Sequence, residues 1–286
     1  MSAELIPVVI LNDTGTEGHI GCVGVMRMFR SVCEKNGMRV VKTFVRSVIE
    51  SNPRAVKKRI VEVGAKLIIV NGEGTFHRSG SIWGNFMGSL PKGIPAVLVN
   101  TVWDKMFVDK TSLSRFEFIT VRESLSYDAL LGLKPSVSVT VVPDILFFMK
   151  AGPNGVGYGD SVMGLVANQL AARTNYFPVN RVYSPDVSAY LCWLSRLRVY
   201  VTGRFHGVVL AAIAGTPFLS FPSNSHKVEG LLKDMGCSEL LLTSMEEVEG
   251  KIEAAVATKD RVKKYCEEAI KKIDDLGVRL RAVCLK

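Results

Sequence analysis

Lys66-Leu-Ile-Ile-Val-Asn-Gly-Glu-Gly-Thr-Phe-His-Arg-Ser-Gly80 is the stretch on which the fold turns. The apolar run to Val70 has no polar alternation, which marks a strand buried on both faces rather than one half-exposed to water. The glycine-rich segment after it is a post-strand loop. Upstream, Arg54 to Val63 reads as a helix ended by Gly64, and Met38 to Val45 as a strand. Before these, Gly21 to Asn36 reads as a helix closed by Gly37, and Pro7 to Leu11 as a strand that opens the loop Asn12-Asp-Thr-Gly-Thr-Glu-Gly18. Downstream come a helix around Asn85 to Leu90, strands at Ala96 to Asn100 and Phe116 to Val121, and an extended stretch from Val139 to Met149. Apolar strands separated by helices build a parallel sheet covered on both faces, so the first half is a Rossmann-like unit.

The pattern restarts after Lys150-Ala-Gly-Pro-Asn-Gly-Val-Gly-Tyr-Gly159, the densest Gly/Pro cluster in the chain and the natural linker. Strands are expected at Val162 to Ala167, Arg198 to Thr202 and Pro217 to Phe221. Helices are expected at Pro185 to Arg196, Gly207 to Ala214, Lys227 to Met235 and from about Thr258 to the end. The expected fold class is α/β, with two Rossmann-like domains, residues 1–149 and 150–286, facing across a cleft. Ligands of open α/β sheets collect outside the carboxyl ends of the strands, so the loops after strands are where chemistry belongs.

Composition limits the function classes. With 286 residues, 48% hydrophobic and 22% charged, the chain is an ordinary globular protein with room for two cores. Its start carries no basic n-region, and the apolar stretch Ile6 to Leu11 is too short for a secretory core or a membrane span, so a cytoplasmic location is expected. The six cysteines form no CxxC pair and no Cys/His cluster at ligand spacing, so they read as thiols and no structural metal is expected. A net charge of +9 favours acidic partners. Nucleic acid has no second signal, because neither a recognition-helix motif nor a basic–aromatic pattern is present. Phosphorylated or carboxylated small molecules remain as acidic partners, and a basic surface would equally serve an acidic polymer or a lipid-linked glycan met by peripheral membrane contact.

Three post-strand loops could carry chemistry. Asn12 to Gly21 offers glycine backbone and a helix N-terminus, although a plain βα turn explains it equally well and His19 could be a packing residue. Asn71 to Gly80 brings Gly72, Glu73, Gly74, Thr75, His77 and Arg78 together, more than a turn requires, and it is neither a Walker loop nor a GxGxxG fingerprint. Thr202-Gly-Arg-Phe-His-Gly207 lies between a strand and an apolar helix. Arg204, His206 and the helix dipole can there hold a phosphate or carboxylate together. Arg122, at the end of a strand of the first half, is expected to project into the same cleft, and Lys227 to add a further charge.

These residues resemble the polysaccharide pyruvyl transferase family. The resemblance rests on Asn71-Gly-Glu-Gly-Thr-Phe-His77, Val121-Arg-Glu-Ser-Leu-Ser126, Val142-Pro-Asp144, and Gly203-Arg-Phe-His-Gly-Val-Val-Leu-Ala-Ala-Ile-Ala-Gly-Thr-Pro217 followed by Ser225-His-Lys227. It implies a fold like that of GT-B glycosyltransferases. It also implies transfer of the enolpyruvyl group of phosphoenolpyruvate to two sugar hydroxyls as a cyclic ketal, with no metal and no cofactor beyond the donor substrate. On this chain Arg204 and Arg122 would clamp the donor's phosphate and carboxylate. His206 would be the general acid/base, and His77 would position the donor or the acceptor hydroxyl. Glu73 is also expected in the catalytic set, and Gly72, Gly74, Thr75 and Lys227 in the donor site.

Two other functions fit the same residues. A GT-B glycosyltransferase would use a nucleotide-sugar, with Glu73 or Asp13 as base and the helix end at Arg204 holding the diphosphate. A glycan- or anion-binding module would keep the fold without turnover.

Overall fold

The computed structural model describes residues 4–17, 19–74, 86–104, 113–149 and 187–285. The expected linker from Lys150 to Gly159 and the expected strand Val162 to Ala167 lie outside them. Two compact units emerge. The first holds residues 1–16, 26–145 and 271–286, and the second residues 17–25 and 146–270.

The first unit is built on six parallel strands, β1 (Ile6–Leu11), β2 (Met38–Phe44), β3 (Leu67–Asn71), β4 (Ala96–Thr101), β5 (Phe118–Val121) and β6 (Ser138–Val141), in the order β2-β1-β3-β4-β5-β6. The apolar runs occupy the middle of the sheet. Every residue of β3 and β4 is buried, whereas β2 exposes Arg39 and Lys42 at one edge, where charge discourages pairing with another chain. The chain leaves β1 for β2 on one side and returns to β3 on the other. This reversal makes the carboxyl ends of β1 and β3 the topological switch point.

Helix α1 (Ile20–Lys35) follows β1, and α2 (Arg46–Ser51) and α3 (Pro53–Glu62) follow β2. The split between α2 and α3 falls at Asn52-Pro53, where proline cannot continue a helix but starts one well, and the Asn52 side chain accepts the Ala55 N–H at 3.1 Å. One face of the sheet packs Val9, Leu11, Ile68, Val70, Leu98 and Ile119 against Ile49, Val56 and Ile60 of α2 and α3 and Leu130 of α4 (Ser124–Leu131).

In the second unit, α5 (Val187–Leu194) leads to the short parallel pair β7 (Tyr200–Thr202) and β8 (Phe218–Ser220), joined by α6 (Phe205–Ala214). Helix α6 is buried nearly all round, as its run of Val, Leu and Ala demands, and Gly215 ends it in the left-handed conformation at φ 70°. Then come α7 (Lys227–Asp234), α8 (Glu247–Ala257) and the long α9 (Lys259–Cys284). The strands are shorter than expected, and α6 begins two residues earlier, which puts His206 inside its first turn.

The last part of α9 belongs to the first unit. There the Arg279 guanidinium lies 3.8 Å from the centre of the Phe118 ring, and Arg281 donates to the Asn36 carbonyl at 2.7 Å. No disulfide joins any of the six cysteines. Burial pushes the Cys33 and Cys266 thiols up to about 12, which leaves them protonated packing groups at neutral pH. No described helix is long and apolar enough to cross a membrane. Gly250 sits in mid-α8 with open space where a Cβ would stand. Gly250→Ala therefore raises stability by about 0.5–1 kcal/mol, measurable as a small rise in urea midpoint.

Candidate functional site

Polar side chains converge at the switch point of the first unit. Asn12, directly after β1, takes φ 64°, a conformation asparagine tolerates better than most residues. Its Nδ2 donates to the carbonyls of Asn71 at 2.8 Å and Glu73 at 2.9 Å. The Asn71 side chain returns a bond to the Asn12 carbonyl at 3.2 Å and accepts the Glu73 N–H at 3.2 Å. The Thr14 hydroxyl donates to Glu73 Oε2 at 2.5 Å, with Asn71 Nδ2 at 3.5 Å from the same oxygen. Asn100, after β4's apolar run and also at positive φ, reaches Asn71 Oδ1 at 3.5 Å and accepts the Ile145 N–H at 3.2 Å. Asn12, Thr14, Asn71 and Asn100 are all buried. The loops after β1, β3 and β4 are thereby locked to one another at the carboxyl edge.

Glu73 is held in place by this set. Thr14→Val removes the shorter of the two hydrogen bonds described to Glu73 Oε2 and, for a bond to a buried carboxylate, lowers stability by about 1–3 kcal/mol. Denaturant unfolding measures the loss, and Thr14→Ser recovers most of it. Gly72 has a packing reason to be glycine: a Cβ there would stand 2.6 Å from Thr101 Cβ and 2.7 Å from Thr101 Cα. Gly74 has a conformational one, with φ 65° and open space around it. Thr75 and His77 lie outside the described residues.

Arg122 follows β5 as expected but does not project as an exposed cation. Its side chain is 3% exposed, and Nη1 meets the fully buried Asp144 Oδ2 at 2.8 Å. The neighbouring Glu123 caps α4 by accepting the Ser126 N–H at 3.0 Å, and the Ser126 hydroxyl accepts the Trp103 N–H at 2.8 Å. The Arg122–Asp144 pair thus ties the end of β5 to the Val142-Pro-Asp144 turn. Burial wins over presentation here, because a carboxylate as deep as Asp144 requires a matching charge beside it.

In the second unit the Arg-x-His turn is built from below. The Thr202 hydroxyl, at the end of β7, accepts the Arg204 N–H at 3.1 Å, and the Thr202 carbonyl accepts from Ser220 Oγ at 3.0 Å and Phe221 N at 2.9 Å. Gly207 leaves room for that hydroxyl, since a Cβ on it would stand 2.6 Å from Thr202 Oγ1. Beneath lies the Tyr200 hydroxyl, 2.9 Å from that of Tyr190, its pKa pushed up by full burial. Arg204 takes the N-cap position with extended backbone, and His206 stands in the first turn, its ring 5.5 Å from that of Phe205. Both side chains are half-buried, at the N-terminal end of a helix whose dipole favours an anion. Lys227, at the start of α7, bonds to the Asn224 side chain and is also half-buried.

The sequence marks Asn12, Thr14 and Thr202 only as members of post-strand loops and Asn100 only as the end of a strand, although all four lie at or just beyond a strand's carboxyl end. That position was the available signal.

The model of the polysaccharide pyruvyl transferase family matches residues 33–225. The chain belongs to that family. The match takes in Glu73, Arg122, Asp144, Arg204 and His206, while Asn12, Thr14 and Lys227 lie beyond it. As a polysaccharide pyruvyl transferase by family, the protein is a transferase with a small-molecule donor and a glycan acceptor. No curated protein matches the chain.

Solved structures agree on the fold. A UDP-GlcNAc 2-epimerase from Neisseria meningitidis is 11% identical with a TM-score of 0.55, over 96% of this chain and 99% of its own. A functionally uncharacterized protein from Klebsiella pneumoniae is 14% identical with a TM-score of 0.51, over 84% and 94%. An O-GlcNAc transferase variant from Thermobaculum terrenum is 10% identical with a TM-score of 0.50, over 99% and 69%. At such identities the likeness is one of fold, and it places this pyruvyl transferase family member in the GT-B-like α/β class.

Proposed function

We propose that the protein transfers the pyruvyl group of phosphoenolpyruvate to two hydroxyls of a sugar, forming a cyclic ketal and releasing inorganic phosphate. The observation that carries this reading is the Arg204–His206 turn, held by Thr202 at the N-terminus of a buried helix, in a chain of this family. The guanidinium of Arg204 is suited to bidentate hydrogen bonds with the donor's phosphate or carboxylate. His206 serves as acid and base. The enol CH2 of the donor gains a proton and becomes the methyl group, and the first sugar oxygen adds to the neighbouring carbon. Phosphate then leaves with its bonding electron pair. The second hydroxyl adds to the resulting oxocarbenium centre and gives up its proton through His206 to the departing phosphate. One hydroxyl proton thus balances the new methyl group and the other leaves with phosphate.

In this reading Gly74, Thr75 and His77 belong to the loop that meets the donor or acceptor, and Lys227 adds charge. Glu73 is carried by the network around Asn12 and Thr14. Arg122 acts through Asp144 as the support of the loop edge, instead of clamping the donor. The reaction draws on no metal and no further cofactor.

A second reading, glycosyl transfer from a nucleotide-sugar, is supported by the fold shared with an O-GlcNAc transferase and an epimerase bound to UDP-GlcNAc. Incubating the protein with phosphoenolpyruvate and a panel of glycans separates the two. Phosphate release together with one pyruvyl ketal added to an acceptor is the expected result. A thermal shift with a UDP-, GDP- or CMP-sugar, and neither phosphate nor ketal from phosphoenolpyruvate, would favour the second.

A further inference from the structure

Helix α1 begins with an unexplained choice of residue. Gly21 occupies its second position at a φ that any residue adopts, where alanine would favour the helix. Its surroundings supply the reason. A Cβ on Gly21 would stand 2.6 Å from Nδ1 of His206 and closer still to the Cγ and Cβ of the same residue. Real Cβ atoms do not come within 3.0 Å of a neighbour, so something would have to move. Turning the imidazole cannot relieve the clash, because His206 Cβ is itself among the atoms met and is fixed to the α6 backbone.

That backbone is not free to retreat. Thr202 Oγ1 accepts the Arg204 N–H on one side of the turn, and Gly207 packs on the same hydroxyl on the other. Gly24, one turn further along α1, makes a contrasting case. A Cβ there meets only the tip of the flexible Leu146 side chain at close range, a contact that a rotamer change relieves. The two glycines share a helix, but only Gly21 abuts a residue of the proposed chemistry. Both Gly21 and His206 lie within the second unit.

We propose that Gly21 is a positioning residue for the reaction, its bare backbone forming the seat on which the His206 imidazole rests. The start of α1 then has a role in the site that is carried by bare backbone. The inference rests on the reading of His206 as the acid–base group, and its test separates the two.

Gly21→Ala is compared with wild type, with His206→Ala, with the double variant, and with Gly250→Ala as a control on an open helix face. The expected result is a fall in kcat of about 10- to 100-fold, the scale of a displacement near 1 Å at a reacting group, with donor KM changed far less. The Hε1–Cε1 signal of His206, assigned by its absence from His206→Ala, moves in Gly21→Ala and stays in place in Gly250→Ala. Adding Gly21→Ala to His206→Ala costs nothing further. In the wild-type protein an Overhauser contact joins the Gly21 Hα protons to the His206 ring, a readout that holds even if Gly21→Ala does not fold.

Wild-type kcat in a folded Gly21→Ala, an unmoved His206 signal, or absence of the Overhauser contact would each overturn the proposal. Full turnover by His206→Ala would instead remove the acid–base role of His206, with the signal and the Overhauser contact still deciding the contact itself.

Discussion

His206→Ala is expected to lower turnover by about 10²- to 10⁴-fold, the usual contribution of a positioned acid–base group, while the protein stays folded. The first half of that expectation follows from the chemistry. Both the protonation of the enol carbon and the loss of hydroxyl protons need a group that gives and takes a proton near neutral pH, and imidazole is the side chain whose ordinary pKa lies there. The second half follows from packing. Helix α6 is anchored by Val208, Val209, Leu210 and Ala211, all buried, whereas His206 is only half-buried at its first turn. Losing the ring removes little of what holds the helix. Arg204→Lys tests the companion role: lysine keeps the charge but loses the planar fork, so it raises donor KM more than it lowers kcat. Steady-state kinetics with circular dichroism on each variant check both statements, and undiminished turnover by His206→Ala removes the acid–base assignment.

The second large effect is on stability. Asp144→Ala leaves the Arg122 guanidinium, 3% exposed, without the carboxylate it meets at 2.8 Å. Breaking a buried ion pair from one side costs about 3–5 kcal/mol, since the surviving charge stays in a poorly solvated place. For a unit of this size that corresponds to a fall in thermal midpoint of roughly 10 °C. Arg122→Ala has a comparable effect through Asp144. Replacing both, as Arg122→Met with Asp144→Leu, recovers most of the loss, because an apolar pair of similar volume has no stranded charge. Calorimetry on the four proteins checks the pattern. Equal stability of Asp144→Ala and wild type would show that the pair does not hold the end of β5.

The central sheet was legible because its signal is local. The runs at Leu67 to Val70 and Ala96 to Asn100 can only be buried on both faces, and Gly37 and Gly64 punctuate the helices between the strands. Helix α4 was missed because eight residues, Ser124 to Leu131, carry little helical periodicity, and its capping depends on Glu123 folding back onto Ser126. Helix α8 was hidden by Gly250 in its middle. Nothing local could assign the end of α9 to the first unit, since its partners are Asn36 and Phe118, far away in the chain.

The site divides in the same way. Arg204 and His206 were found because residue type and position after a strand suffice to suggest an anion site. The burial of Arg122 was not, because it depends on Asp144, 22 residues on. The hold on Glu73 depends on Thr14, 59 residues before it. In the sequence Gly21 is the junction of a glycine-rich post-strand loop and a helix, and only its closeness to His206 gives it a further meaning.

The most direct test of the whole account is a crystal of the protein soaked separately with phosphoenolpyruvate and with UDP-, GDP- and CMP-sugars. Pyruvyl transfer predicts phosphoenolpyruvate with an anionic group on the Arg204 guanidinium and its methylene carbon facing His206. A nucleotide-sugar diphosphate at Arg204, with no phosphoenolpyruvate bound there at saturating concentration, would contradict it.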